Sequence, residues 1–315
     1  MKRREIPPGR NPRHGPEVGG PLAAVAGDSV ATDRAAPGAP SWGAPRQTPE
    51  ARPTRRGSQA PFGLVPLAVL AIVFLTLPLV ALVVRAPWRS LPAELAAPGV
   101  LAALRLSMIC SVAAVGISLL LGVPLAWLLA RVPFRGRNLV RAVVLLPMVL
   151  PPVVGGVALL LAFGRQGLAG QWLDRVLGIT LPFSTAGVIV AETFVAMPFL
   201  VITVEAGIRT MDRRYEDAAA TLGAGRWTTF RRVTLPLIAP ALGAGAALCW
   251  ARALGEFGAT ITFAGNLPGS TQTMPLAVYL ALQSNPEGAI ALSLVMLAIS
   301  LTVLVALRGR WFPSR

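Results

Sequence analysis

Six apolar segments of membrane length follow one another along this chain, separated by polar connections. Each contains about 20 mostly apolar residues, the length that a helix needs to cross the hydrocarbon core of a bilayer. They lie at about 62–84, 106–130, 142–164, 188–208, 236–259 and 288–307. Helices are expected because lipid offers no partner for the backbone N–H and C=O groups of an open chain. The pattern predicts an all-α integral membrane protein with six transmembrane helices.

The first 60 residues have a different composition from these segments. They contain 10 Pro, 8 Gly, 10 Lys or Arg and 5 Asp or Glu. Such a stretch cannot bury enough apolar surface to offset the entropy lost on ordering. We therefore expect residues 1–60 to form a disordered cytoplasmic tail and residues 61–310 to form the membrane domain.

The basic residues are unevenly divided between the two sides that six crossings define. With the N-terminus inside, the connections 131–141, 209–232 and 308–315 hold 13 Lys or Arg, whereas the external connections hold 5. Cytoplasmic loops of membrane proteins carry an excess of these residues. The bias predicts that both termini are cytoplasmic.

Composition then removes several classes of function. The chain is 54% hydrophobic and 14% charged, which is unusual for a soluble domain. Its net charge of +15 is explained by the tail and the cytoplasmic arginines, so nucleic acid is not expected as a partner. One lysine, Lys2, and one histidine, His14, rule out a P-loop, a Ser-His-Asp triad and a histidine-ligated zinc site within the membrane domain. We expect no catalytic residue, no metal site and no cofactor of the chain's own.

The longest cytoplasmic connection, 209–235, predicts two short helices joined by a turn. Asp212 can cap the start of the first helix, and Gly223 is suited to end it. The second helix begins near residue 226 and leads to Pro236, where proline fits the first turn of the fifth span. We expect this loop to lie against the membrane face and to contact a soluble partner.

Residues in this loop resemble a motif of bacterial ABC-importer permeases, which reads Glu-Ala-Ala, three residues, Gly, nine residues, and Ile-x-Leu-Pro. The matching residues are Asp217, Ala218, Ala219, Gly223, Val233, Leu235 and Pro236. Asp217 replaces the glutamate and Val233 the isoleucine, while Glu216 keeps a second acidic residue in place. The resemblance implies a type I permease bundle of six transmembrane helices, with a cytoplasmic coupling helix that docks on an ATP-binding subunit. An ordinary basic loop with one helical turn is the alternative.

A second group of residues narrows the resemblance. The chain reads LPPVVGG at 150–156, ARALGEFGAT at 251–260, FAGN at 263–266 and TQTMPLA at 271–277. These strings resemble the molybdate permease subunits of ABC importers. Sulfate and thiosulfate permeases are similar, but they tend to have Tyr after the Gly-Glu pair and Thr-Glu in place of Thr-Gln. The resemblance extends over about 62–310.

The resemblance implies a set of partners. It implies a homodimer in a bacterial plasma (inner) membrane, two ATP-binding cassette subunits that bind ATP and magnesium, and an external oxyanion-binding protein that delivers molybdate. Sulfate, thiosulfate or tungstate is the alternative cargo. A different class is an ion-coupled secondary carrier with Glu192, Arg252 and Glu256 as a proton relay, and the coupling motif argues against it.

Arg252 and Glu256 are the charged pair of the fifth span. Their i, i+4 spacing predicts one helix face and an ion pair, which reduces the cost of charge at membrane depth. The pair is either a gate or path element that changes partners during transport or a fixed contact between helices.

Uncharged hydrogen-bonding residues follow this span near the predicted outer mouth. They are Asn266, Thr271, Gln272 and Thr273. Neutral donors can bind an oxyanion weakly enough to release it, which is what a translocation path needs. The alternative is that they are turn residues around Pro268 and Gly269.

Overall fold

The computed structural model describes residues 64–311, with side chains as far as residue 305. The predicted tail, 1–60, lies outside the described residues. The described part of the chain is helical and contains no strand. Its helices are α1 (Leu64–Val84), α2 (Leu91–Ala96), α3 (Pro98–Arg131), α4 (Arg137–Val149), α5 (Pro152–Phe163), α6 (Gly170–Leu177), α7 (Thr185–Thr210), α8 (Arg214–Thr221), α9 (Arg226–Thr229), α10 (Leu235–Leu237), α11 (Ala239–Leu254), α12 (Gly258–Phe263), α13 (Met274–Ser284) and α14 (Pro286–Trp311). A π-helical turn, Phe230–Thr234, joins α9 to α10.

Four helices of the described region are long and apolar enough to cross a membrane: α1, α3, α7 and α14. Two bent pairs, α4 with α5 and α9–α10 with α11, bring the number to six if each pair is one span. The count of six transmembrane helices remains a prediction, because it depends on how these pairs cross the bilayer.

The third apolar segment differs from a straight span. It divides into α4 and α5, whose axes are bent by 118°. Leu150 and Pro151 at the break have extended backbone, with ψ of 134° and 131°. Pro152 then begins α5 at a position where a missing N–H costs nothing. Pro151 and Pro152 therefore separate two helices within the segment that was predicted as one span.

The fifth apolar segment also differs from the single helix predicted over 236–259. Its first part is bent by 72° at Ile238, and α11 ends at Leu254. Glu256 lies in the break before α12, so it does not continue the helix that carries Arg252. Oε1 of Glu256 accepts the N–H of Ala259 at 2.8 Å and so satisfies a free N–H group in the first turn of α12.

The centre of the described region is an apolar core formed by α3, α7 and α11. Leu129, Leu200 and Ile208 are completely buried in it. Gly122 lets α3 approach α7 closely, because a Cβ at this position would lie 3.0 Å from the side chain of Leu200. Small residues at such crossings are typical of helices that pack within membranes.

A second close contact joins α5 to α12. A Cβ on Gly156 would lie 2.6 Å from the Cβ of Thr262, and one on Gly258 would lie 2.6 Å from the Cβ of Pro152. The two glycines therefore permit a backbone approach that any larger residue would prevent. In contrast, α1 has no buried residue within the described region.

Candidate functional site

The segment 212–236 forms a short polar helix followed by a turn. The N–H of Arg214, the first residue of α8, donates to Oδ1 of Asp212 at 3.0 Å, while Arg213 occupies the N-cap position between them. Glu216 and Asp217 lie in its first turn, where acidic side chains interact favourably with the helix dipole. Gly223 follows the helix with φ of +82°, a conformation that favours glycine. No residue of α8 is buried.

The two acidic residues of α8 have different surroundings. Asp217 is exposed, as are Ala218 and Gly223. The Glu216 side chain is 20% exposed, and its Oε2 lies 3.0 Å from Nε of Arg131 at the end of α3. Its Oε1 accepts a hydrogen bond from Oγ1 of Thr234 at 2.8 Å. Asp217, which occupies the glutamate position of the motif, is therefore open to a partner, whereas its neighbour Glu216 contacts the bundle.

The end of the predicted motif leads into the bundle. Val233 and Leu235 are half-buried and Pro236 is exposed. Thr234, between them, is 1% exposed and ends the π-helical turn. This turn replaces the regular α-helix predicted from about residue 226.

An aromatic cluster beside α8 was not predicted from the sequence. Trp227 stacks on Phe230 with ring centroids 5.7 Å apart, and Phe230 meets the edge of Trp127 from α3 at 6.3 Å. Trp227 is 72% exposed and lines a cavity of about 340 Å³ with Pro124 and Phe230. The i, i+3 spacing of Trp227 and Phe230 was the available signal.

Glu205 joins α4 to α7 at the same end of the bundle. Its Oε1 lies 3.0 Å from Nε of Arg209 and also contacts Nη2 of Arg141. The Glu205 side chain is 8% exposed, whereas those of Arg141 and Arg209 are 29% and 48% exposed. The pair with Arg209 is an i, i+4 contact within α7, and the contact with Arg141 adds the link to α4.

Arg252 and Glu256 form the predicted ion pair, with Nη1 2.7 Å from Oε2. Glu256 is 1% exposed. Because its other oxygen caps α12 through Ala259, both of its oxygens have protein partners. This geometry favours a fixed contact between α11 and α12.

Glu192 on α7 differs from the other buried carboxylates. It is 1% exposed, and it forms no salt bridge within the described region. Its Oε2 is buried without a hydrogen-bond partner there. An arginine partner for Glu192 is thus not found among the described residues.

The four neutral donors of the predicted path lie on one loop, and their surroundings differ. Oγ1 of Thr271 accepts the N–H of Leu267 at 2.9 Å, so Thr271 is used within the turn. Thr273 is 1% exposed and Gln272 is 8% exposed. Oγ1 of Thr273 and Oδ1 of Asn266 are buried without a hydrogen-bond partner in the described structure. Thr273 and Asn266 are therefore the two with an uncommitted polar atom.

Two hydrogen bonds attach this loop to the long helices. The N–H of Met274 donates to Oγ of Ser107 on α3 at 2.7 Å. Oγ1 of Thr185 on α7 donates to the carbonyl of Ser270 at 2.8 Å. The loop is thus held between α3 and α7.

Four long apolar helices, two bent helix pairs and a short polar helix at one end together define a multi-pass membrane protein. Residues 122–314 match the family described as "Binding-protein-dependent transport system inner membrane component". The chain belongs to this family of ABC-importer permeases.

The relatives within the family agree with the resemblance drawn from the motifs. The chain is 47% identical over 243 residues to the molybdenum transport system permease protein ModB of Mycobacterium tuberculosis, covering 77% of this chain and 92% of that protein. It is 43% identical over 209 residues to ModB of Escherichia coli K12, covering 66% and 91%. The sulfate transport system permease protein CysT of E. coli K12 is 38% identical over 237 residues, covering 74% and 85%. The predicted similarity to molybdate permeases, with sulfate permeases nearby, is confirmed.

Solved structures support the same fold. A bacterial alginate ABC transporter in complex with an alginate pentasaccharide-bound periplasmic protein has a TM-score of 0.62 at 20% identity, covering 79% of this chain and 92% of that chain. The alginate importer without that complex has a TM-score of 0.61 at 19% identity. The predicted all-α ABC-importer permease fold is confirmed.

Proposed function

We propose that this permease translocates molybdate across the bacterial inner membrane, driven by ATP hydrolysis on a separate subunit. The observation that carries the proposal is α8, a helix whose motif residues Asp217 and Ala218 are exposed, as is Gly223 directly after it. A helix without buried residues gains little from its own chain. A docking partner explains why it is nonetheless a formed helix between two spans.

The proposed partners follow from the family. We propose a homodimer, so that two α8 helices face two ATP-binding cassette subunits, which bind ATP and magnesium. An external oxyanion-binding protein delivers the cargo. The related alginate importer was solved with a periplasmic protein, which supports a partner of this kind.

The proposed orientation places both termini and α8 in the cytoplasm. It rests on the distribution of Lys and Arg, with 13 on the proposed inner side of the membrane domain and 5 on the outer side. In this orientation the loop with Asn266 and Thr273 lies on the outer side, where the binding protein releases its cargo.

Molybdate is proposed over sulfate, thiosulfate and tungstate because the two ModB proteins have a higher percentage identity to this chain, 47% and 43%, than CysT, 38%. Asn266 and Thr273 are the proposed path residues, since each has a buried polar atom without a protein partner. Thr271 and Gln272 are proposed to shape the loop around them. For Arg252 and Glu256 we propose a fixed contact beside the path, because both Glu256 oxygens have partners.

Uptake into proteoliposomes tests the proposal. The permease is reconstituted with an ATP-binding subunit and an oxyanion-binding protein of the same organism, and uptake of molybdate, tungstate and sulfate is measured. ATP-dependent molybdate uptake that requires both partners is expected. Uptake driven by a proton gradient without the ATP-binding subunit would contradict the importer mechanism, and preference for sulfate would contradict the cargo.

A further inference from the structure

Among the described residues, the side-chain ion pair and hydrogen bond that join α8 to other elements of the bundle both involve Glu216. Glu216 uses its two oxygens on two different elements: Oε2 on Arg131 at 3.0 Å and Oε1 on Thr234 at 2.8 Å. Arg131 is the last residue of α3, and Thr234 is the last residue of the π-helical turn that precedes α10. One carboxylate therefore joins α8 to the ends of two membrane segments.

The partners of Glu216 in these contacts are shielded from solvent, while the Glu216 side chain is 20% exposed. The Arg131 side chain is 9% exposed and Thr234 is 1% exposed. Water and salt screen such a pair much less than one at the surface. Removing one partner leaves the other charge buried and unpaired, which is costly.

The chain itself provides a poor mechanical link after α8. Residues 222–225 contain Gly223 and Gly225, and Gly223 adopts a left-handed conformation. A displacement of α8 can be absorbed by rotation at these glycines. A side-chain bridge from α8 to α3 and Thr234 bypasses this turn.

We infer that Glu216 is the positioning residue that transmits movement of α8 to the membrane segments, while its exposed neighbour Asp217 contacts the ATP-binding subunit. The inference rests on the proposed docking of that subunit on α8. When the subunits draw α8 aside, the Glu216 bridge moves the end of α3 and the start of the fifth segment together. Without the bridge, ATP is still hydrolysed, but fewer cargo molecules cross per ATP.

The experiment measures the ratio of molybdate transported to ATP hydrolysed, using the full complex in proteoliposomes. In Glu216→Gln this ratio should fall about tenfold, equivalent to a loss of ~1.4 kcal/mol of coupling, while hydrolysis continues. The matched control is Glu287→Gln, which changes an exposed carboxylate at the start of α14 and should leave the ratio unchanged.

Two further variants separate transmission from misfolding. The single variants R131E and E216R each place two like charges together and should lower the ratio. The double variant R131E/E216R restores opposite charges at the two positions and should recover part of that loss. Thr234→Val removes only the hydroxyl that donates to Glu216, and it should lower the ratio with normal assembly.

An unchanged ratio in Glu216→Gln would overturn the inference. If Glu216→Gln fails to assemble, an unchanged ratio in Thr234→Val or no recovery in the double variant would do so. Absence of ATP-dependent uptake in the wild-type complex would instead contradict the proposed function itself.

Discussion

The α3–α7–α11 core and the segment 212–236 are held together by different forces. In the core, fully buried apolar side chains such as Leu200 and Ile208 interlock, and glycine permits the close approach. In the segment, α8 buries no residue and is attached through the carboxylate of Glu216. Dense packing resists small displacements, whereas a few polar contacts can be made and broken. The α3–α7–α11 core is therefore the rigid part of the molecule, and α8 is the part that can be displaced.

The largest effect is expected where the backbones are closest. Gly156→Leu places a side chain where a Cβ alone would lie 2.6 Å from Thr262, so α5 and α12 must separate. We expect a loss of about 3 kcal/mol, the upper end of the usual cost of overpacking. Thermal unfolding in detergent measures it.

Gly116→Leu is the matched control, because nothing lies within 4 Å of a Cβ at that position of α3. Equal destabilisation of the two variants would show that the close contact between α5 and α12 has no special importance.

A cavity in the core should have the next largest effect. Leu200→Ala removes a completely buried side chain, with an expected loss of about 2 kcal/mol. This loss is at the low end of the range for a buried leucine. In a membrane, an apolar side chain that leaves the core meets lipid rather than water, so part of the usual hydrophobic term is absent. In Leu70→Ala the side chain is 64% exposed on α1, and the unfolding temperature should stay nearly constant. If both variants unfold at the same temperature, packing in the α3–α7–α11 core does not determine the stability of the bundle.

Glu205→Gln tests a contact whose burial is intermediate between that of the core and that of the segment 212–236. It removes the carboxylate between Arg141 and Arg209 and should cost about 1–2 kcal/mol, between the values for surface and buried pairs. Because the contact is ionic, the difference from wild type should shrink as salt is raised. A difference independent of salt would indicate that packing, not charge, joins α4 to α7.

The smallest effect on stability is expected in the segment itself. Gly223→Ala forces a Cβ into a backbone conformation with φ of +82° and should cost about 1 kcal/mol. A bulky residue at this exposed position should abolish transport by preventing docking, while the protein remains inserted. Insertion is checked by membrane fractionation and transport by the uptake assay. Normal uptake in Gly223→Trp would argue against docking at α8.

Sequence reasoning predicted those features that depend on local pattern. Apolar length predicted α1, α3, α7 and α14, and Asp212 and Gly223 predicted the two ends of α8. The adjacent prolines at 151 and 152 are a local signal of the same kind for the break between α4 and α5, because proline acts on the backbone of its own turn.

Contacts between distant residues could not be predicted in the same way. Nothing near Glu216 in the sequence indicates Arg131, and nothing near Glu205 indicates Arg141. The break at Glu256 was missed because apolar composition continues through it, and only the hydrogen bond to Ala259 reveals a new helix.

The π-helical turn Phe230–Thr234 determines how the stretch before it is rotated about the helix axis relative to the bundle. It contains a wider turn than an α-helix and so accommodates one additional residue. Deleting one residue there would rotate the preceding stretch by about 100° relative to the bundle, the angle between successive residues of an α-helix. Trp227 and Phe230 would then point away from Trp127. The additional residue thus keeps the aromatic cluster aligned with α3 while Thr234 faces Glu216.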